Sequence, residues 1–344
     1  MYLGTPGEIV DERVTLSHGA GGRASHDLVE SVFLRELRNP LLEPLGDSAL
    51  LAAGRRQLAF TTDSYVVSPL FFPGGDIGEL AVNGTINNLA MSGARPAALS
   101  AGFIVEEGFP VADLKRIAGS MACASLRAGV PIATGDTKVV ETGKADGLYI
   151  NTSGVGCVEH GLALGPLTIQ PGDRVIVSGP IGDHGIAVMA ARGELELEAK
   201  IGSDTAPLHT LVAKLLRATD DVRCLRDPTR GGLATVLADL AHAAGVGIAI
   251  DETAIPIRPE VARSCENLSI DPLYVANEGK LIAVVSADVA DTAVNALRSH
   301  RLGREAAIIA EVTPDSPGEI TLGSLTGDSR VVDMFAGDSL SRIR

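Results

Sequence analysis

A run crowded with turn-forming residues divides this chain in two. Between Cys157 and Asp173 stand Gly161, Gly165, Pro166, Pro171 and Gly172, and on either side apolar segments of strand and helix period follow one another. At 344 residues the chain is longer than one typical domain. The break therefore reads as a domain boundary. Each half mixes strands with helices, so each is expected to be an α/β or α+β domain.

The first half places a helix at Ser25–Arg38, stopped by Asn39-Pro40, and a strand at Gln57–Thr62 running into a loop Thr62-Asp63-Ser64-Tyr65. Ile77–Met91 and Val111–Gly129 read as helices, the second because Leu114, Ile117, Ala118, Met121 and Ala122 make one apolar stripe. Ala97–Val105, Val130–Ala133 and Leu148–Val155 read as strands. In the second half, strands are expected at Arg174–Val177, Val222–Leu225, Ile248–Ile250, Leu281–Val285 and Ala307–Val312. Helices are expected at His184–Ala191, Pro207–Ala218, Gly232–Ala244 and Val289–Ser299.

Hydrophobic residues make up 45% of the chain and aromatics only 3%, so the cores must be aliphatic. The formal charge of −14 argues against nucleic acid and anionic membranes as partners. A metal ion can still bridge such a surface to a phosphorylated small molecule. Cys123, Cys157, Cys224 and Cys265 form no C-x-x-C pair, which excludes a common zinc pattern and reads as reduced thiols. No basic-then-apolar leader opens the sequence, and no uncharged apolar run reaches the roughly 20 residues of a membrane span. A cytoplasmic location is expected.

Polar loops carry the candidate chemistry. Gly46-Asp47-Ser48, Thr62-Asp63-Ser64, Asn87-Asn88 and Gly135-Asp136-Thr137 offer oxygen ligands of the kind magnesium takes from carboxylates and phosphates. Asp63 and Asp136 are expected at strand ends, where α/β domains bind ligands. Ordinary turns with a capping Asp remain the alternative on spacing alone. Gly19, Gly21 and Gly22 precede a helix and would let backbone N–H groups approach a phosphate, although no Walker A lysine follows and the pattern alone equally describes a flexible N-terminal loop. Arg226, Asp227, Arg230 and the following Gly-Gly suit an anionic or carbonyl group at a helix start, or else a helix cap. Asn277-Glu278-Gly279-Lys280 alone reads as a turn, and Gly182-Asp183-His184-Gly185 as a helix N-cap.

Together these segments resemble the hydrogenase maturation HypE family, within the aminoimidazole ribonucleotide synthetase (PurM-like) superfamily. The stretches LSHGAGGRASHDLVESVF, FTTDSYVVSPLFFPGGDIG, NGTINNLAMSGA, TGDTKVV, SGPIGDHG, LRDPTRGG and ANEGK carry the resemblance in order from Leu16 to Lys280, and the Arg-Ile of the tail extends it to the last residues. It implies a two-domain PurM-like fold: a glycine-loop segment at 1–40, an ATP-binding and dimerising domain at 41–158, an α+β domain at 170–336 and a tail at 337–344. The N-terminal domain would share a β-barrel with its twin in a homodimer. ATP and Mg2+ would be held by Asp47, Asp63, Asn88 and Asp136, with Gly19, Gly21, Gly22, Asn87 and Thr137 at the nucleotide. The implied reaction is ATP-dependent dehydration of a carbamoyl group on the C-terminal tail to a thiocyanate, the source of cyanide for [NiFe] hydrogenase. Its partners would be the carbamoyltransferase HypF and the HypC–HypD complex. Glu278 and Asp227 are candidate bases, with Arg226, Arg230 and Lys138 as charge stabilisers. The family tail ends Pro-Arg-Ile-Cys, whereas this chain reads Ser341-Arg342-Ile343-Arg344. An amide, Asn88, also stands where the family has an acid. Both departures imply an impaired dehydratase. A non-catalytic dimeric binding protein for the maturation partners is the competing reading, and another PurM-superfamily enzyme is a third. Selenophosphate synthetase fits less well, since the first cysteine is Cys123.

Overall fold

The computed structural model describes residues 13–20, 22–54, 56–159, 161–194, 201–323, 329–332 and 343. Gly21, and all of 337–344 except Ile343, lie outside them. The helix expected near the N-terminus runs as α1 (Arg23–Leu28), a π-helical turn over Val29–Leu34, and α2 (Arg35–Leu37).

The first half then folds as β1 (Ala49–Ala53), β2 (Arg56–Tyr65), the short pair β3 (Phe71–Phe72) and β4 (Gly75–Asp76), and α3 (Ile77–Met91). It continues through β5 (Ala94–Glu106), α4 (Val111–Ala128), β6 (Ile132–Val140) and β7 (Leu148–Val158). The long strands form one sheet in the order β1-β2-β7-β5-β6. That sheet is open, with β1 and β6 as its edges, so the described residues of one chain form no closed barrel.

α3 is buried nearly all round, from Ile77 to Met91, as a helix apolar on every side must be. Asp76 starts it: its carboxylate accepts from the N–H groups of Gly78 (2.8 Å) and Glu79 (3.0 Å) and from the Ser120 hydroxyl on α4. Gly129, at φ +67°, closes α4 with a left-handed residue.

The second half carries β8 (Arg174–Val177), α5 (Asp183–Ala191), α6 (His209–Ala218), β9 (Val222–Arg226), α7 (Gly232–Ala244) and β10 (Gly247–Asp251). There follow α8 (Pro259–Leu268), β11 (Ile282–Val285), α9 (Ala290–Arg298), β12 (Ala307–Thr313), β13 (Ile320–Gly323) and β14 (Ser329–Val332). The sheet order is β14-β13-β10-β12-β8-β11-β9, antiparallel except for β10 with β13. Apolar cores fill both its faces, one under α7 and one under α6 and α9. A third core crosses between the halves, joining Tyr65, Leu80 and Ile86 to Ile186, Val261 and Val275.

Two sequence expectations need correction. Asp63 and Asp136 lie inside β2 and β6, not in loops at strand ends. Pairing of Thr62–Tyr65 with Ile150–Ser153 on β7 extends β2 through residues that look like a turn in isolation. Asn87-Asn88 is likewise no loop but the penultimate turn of α3.

Removing the α3 cap should cost stability without changing the fold. Asp76→Ala should lower the free energy of urea unfolding by about 1–2 kcal/mol. An unchanged midpoint and slope would show that the cap contributes nothing.

Candidate functional site

Strand alternation aims the first acid. Along β2, Ala59, Thr61 and Tyr65 are buried against α3 while Phe60, Thr62 and Ser64 face away, so Asp63 points toward α3. There Tyr65 donates its hydroxyl to Asp63 Oδ2 (3.2 Å), and the Asn88 amide reaches Asp63 Oδ2 at 3.4 Å and Thr61 Oγ1 at 3.5 Å. The Thr61 hydroxyl donates to the backbone carbonyl of Asp47 (2.7 Å). Asp47 Oδ2 is in turn 2.5 Å from the guanidinium of Arg226, the last residue of β9. Asp47, Asp63, Asn88 and Arg226 therefore share one cluster at the cleft between the halves.

The neighbouring helix position ties in the second candidate group. Asn87 donates from Nδ2 to the backbone carbonyls of Glu278 and Ala206 (both 3.1 Å), and its Oδ1 accepts from the Leu208 N–H (2.8 Å). Glu278 is 1% exposed, and its N–H donates to Asp204 Oδ1 (3.0 Å). Gly279 is required here, since a Cβ at that position would stand 1.8 Å from the Asp204 carbonyl oxygen. Asn277 donates to the Pro228 carbonyl (2.8 Å), which joins this turn to the Arg226–Gly232 loop holding buried Asp227. Arg230 donates to the Gly19 carbonyl (2.8 Å), so the N-terminal glycine loop closes over the same side. Gly22 immediately precedes α1, and Gly21 lies outside the described residues.

Asp136, Thr137 and Lys138 are not brought to this cluster. The register runs Ser64–Asn151–Gly102–Asp136 across β2, β7, β5 and β6. Asp136 thus shares a face with Ser64, opposite to Asp63, and lies three strand spacings, about 14 Å, from it. It is exposed and paired with Lys138, 2.6 Å away, whose hydrogen bond holds its carboxyl below the usual range. One chain alone cannot place Asp63 and Asp136 on one metal.

Sequence reasoning missed a buried network beside Glu278. Lys280 Nζ is 2.9 Å from Asp204 Oδ2, and both side chains are at most 10% exposed. Burial pushes the Asp204 carboxyl up, but the adjacent Lys280 and His184, with the Lys280 and Glu278 hydrogen bonds, outweigh it and hold it below its ordinary value. His184 is fully buried: its Nε2 donates to the Ile343 carbonyl (2.9 Å), and its Nδ1 is 2.8 Å from Ser203 Oγ. A cavity of about 650 Å³ opens beside them, lined by Ser178, Gly179, Asp183, Ser203, Asp204 and Lys280. Asp183 is not a cap; Arg258 holds its carboxylate at 3.0 Å. The sequence signal of this network was a short polar run, Ser203-Asp204-Thr205, ahead of the apolar helix pattern that begins near Pro207. All four cysteines are free thiols, and burial pushes Cys224 up to about 11 and Cys265 up to about 12, so neither is a ready nucleophile.

The donor set fits a divalent cation carried by a nucleotide. Among the described residues no group of three or more His, Cys, Asp or Glu could hold a metal unaided. Two carboxylates with an adjacent amide are nevertheless what a magnesium ion needs when phosphates complete its shell.

This architecture is that of the AIR synthase related proteins: the N-terminal domain model of that family matches residues 45–158 and the C-terminal domain model residues 170–323. Within it, the chain is 54% identical to the carbamoyl dehydratase HypE of Azotobacter vinelandii, over 96% of this chain and 97% of that one. It also superposes on a HypE solved in complex with ATP, with TM-score 0.81, 43% identity, and coverage of 96% of this chain and all of that one. The HypE of a HypE–HypF complex gives TM-score 0.85 at 48% identity, over 89% and 99% of the two chains. The chain belongs to the HypE family of carbamoyl dehydratases.

The Asp204–Lys280 pair yields a test. Lys280→Met leaves a buried carboxylate without its cation and should destabilise the fold by about 3–5 kcal/mol at neutral pH. Because its folded pKa is depressed, Asp204 contributes stability above its unfolded pKa of about 3.9, and that contribution disappears as pH falls through the folded value. The gap between Lys280→Met and the parent chain in chemical unfolding should therefore narrow on acidification; a constant gap would contradict the assignment.

Proposed function

We propose that this chain is the ATP-dependent carbamoyl dehydratase of [NiFe] hydrogenase maturation, with its nucleotide in the cleft between the halves. One helical turn carries the reading: Asn88 touches Asp63, and adjacent Asn87 fixes the backbone of Glu278. A metal-and-phosphate end and a candidate base are thereby held at a set separation.

The reaction needs both. The carbamoyl oxygen is a poor leaving group until it takes the γ-phosphoryl group of ATP. Its bond to carbon then breaks, and the oxygen departs with phosphate as the C–N bond becomes triple. Of the two N–H protons, one passes to a base and the other is carried by the phosphate product. Glu278 is the proposed base, with buried Asp227 as its alternative. Arg226, at the end of β9, and Arg230, on the loop that follows, would neutralise developing phosphate charge. Asp47 and Asp63 would hold Mg2+, which supplies charge neutralisation at the β- and γ-phosphates, and Asn88 orients Asp63. The glycines of the N-terminal loop, Gly19 and Gly22, would lie over the phosphates.

A homodimer completes the site. The outer face and edge of the first sheet expose Phe60, Ile104 and Val139, at 46%, 45% and 69%. A second copy closing the sheet into a shared barrel would cover that surface. It would also give Asp136, Thr137 and Lys138 a nucleotide to meet that they cannot reach within their own chain. HypF, as seen bound to a relative, and HypC–HypD are the proposed partners. No helix among the described residues is long and apolar enough to cross a membrane. The charge of −14 disfavours nucleic acid, and the cytoplasm is the proposed location.

Arg344 supports the second reading, a binding protein that docks the maturation partners without forming thiocyanate. A guanidinium cannot replace the acceptor thiolate. Mass spectrometry of the tail after incubation with HypF, carbamoyl phosphate and ATP separates the two. Arg344→Cys should acquire a carbamoyl group and then lose water from it. Adding Glu278→Gln should retain ATP binding by calorimetry and stop at the carbamoyl stage. Dehydration unaffected by Glu278→Gln would remove Glu278 from the role, and no dehydration in Arg344→Cys would favour the binding protein.

A further inference from the structure

Asp47 is offered to a metal by the proposed function, yet its carboxylate is already taken. Arg226 Nη1 stands 2.5 Å from Asp47 Oδ2, with the two side chains only 20% and 22% exposed. The partners come from opposite halves, Asp47 from the segment before β1 and Arg226 from the end of β9. Asp63, the other cleft acid, accepts from Tyr65, Asn88 and the Ser64 N–H. Asp47 thus carries Arg226 as a counter-cation.

We propose that Arg226 stands in for the divalent cation at Asp47, and that metal loading displaces it across the cleft onto the nucleotide phosphates. The inference rests on the metal–nucleotide reading of the cleft and adds a competition to it. A magnesium ion about 2.1 Å from Oδ2 and a guanidinium donating to the same oxygen are two cations in close contact, and each weakens the other's hold on the carboxylate. Metal alone works against a partly buried, charge-assisted bond, worth about tenfold in an equilibrium constant. Metal with nucleotide breaks the same bond but offers the freed guanidinium a polyphosphate in exchange. Free metal is therefore disfavoured, and metal arriving with ATP is not. The same exchange removes a link between the halves when nucleotide binds and replaces it with one through the phosphates.

The test compares Mn2+ binding, followed by electron paramagnetic resonance, with and without a non-hydrolysable ATP analogue. Arg226→Gln should bind Mn2+ alone on the order of tenfold tighter than the parent chain. With the analogue present its advantage should vanish or reverse. Asp47→Asn should bind Mn2+ poorly in both settings. If Arg226→Gln does not fold, Arg226→Lys, with a single-point cation in place of the planar fork, should shift the metal-only affinity in the same direction by less. Unchanged or weaker Mn2+ binding in the arginine variants, while Mn2+ with the analogue still binds the parent chain, would overturn the competition and leave the site reading standing. No binding of Mn2+ with the analogue by the parent chain would overturn both.

Discussion

Asn87 holds the two halves in register. It is a buried amide on a buried helix, and each of its hydrogen bonds ends on backbone of the second half: Glu278, Ala206 and Leu208. A buried amide that lost these partners would incur about 1–3 kcal/mol for each unmet group, so the arrangement tolerates little sliding. Because Asn88 follows directly, the position of Asp63 relative to Glu278 is set by one turn of α3. The helix itself is fixed by the Asp76 cap at one end and by apolar packing along its length. The geometry of the cleft depends on that helix more than on any loop.

Much of the scaffold was legible, because helices with continuous apolar stripes and strands rich in β-branched residues announce their period. Ile77–Met91 and Gly232–Ala244 appear at the positions their patterns predict. β1, read as Ala-Leu-Leu-Ala-Ala, lacks β-branched residues and becomes a strand only through its pairing with β2. α8 was missed because its charged surface leaves only Val261, Ser264 and Cys265 buried. The polar last third of β2 and the polar middle of β6 look like turns until their neighbours supply hydrogen bonds.

The site was legible as a set of residue types and illegible as a geometry. Asp47 and Arg226 are 179 positions apart, and nothing local to either predicts their contact. The opposite facing of Asp63 and Asp136 follows from strand register, which depends on the order β2-β7-β5-β6 and not on sequence spacing. Glu278 and Lys280 read as a turn because the carboxylate that supports them, Asp204, lies in a stretch without periodicity.

The proposed site is one metal–nucleotide complex in the interdomain cleft, held by Asp47 and Asp63 of the same chain. A crystal grown with Mn2+ and a non-hydrolysable ATP analogue, measured at the manganese edge, addresses this directly. An anomalous peak within bonding distance of both carboxylates, with the polyphosphate running toward Arg226, is the predicted result. A peak only on the outer face of the sheet beside Asp136, with Asp47 still bound to Arg226, would contradict the account.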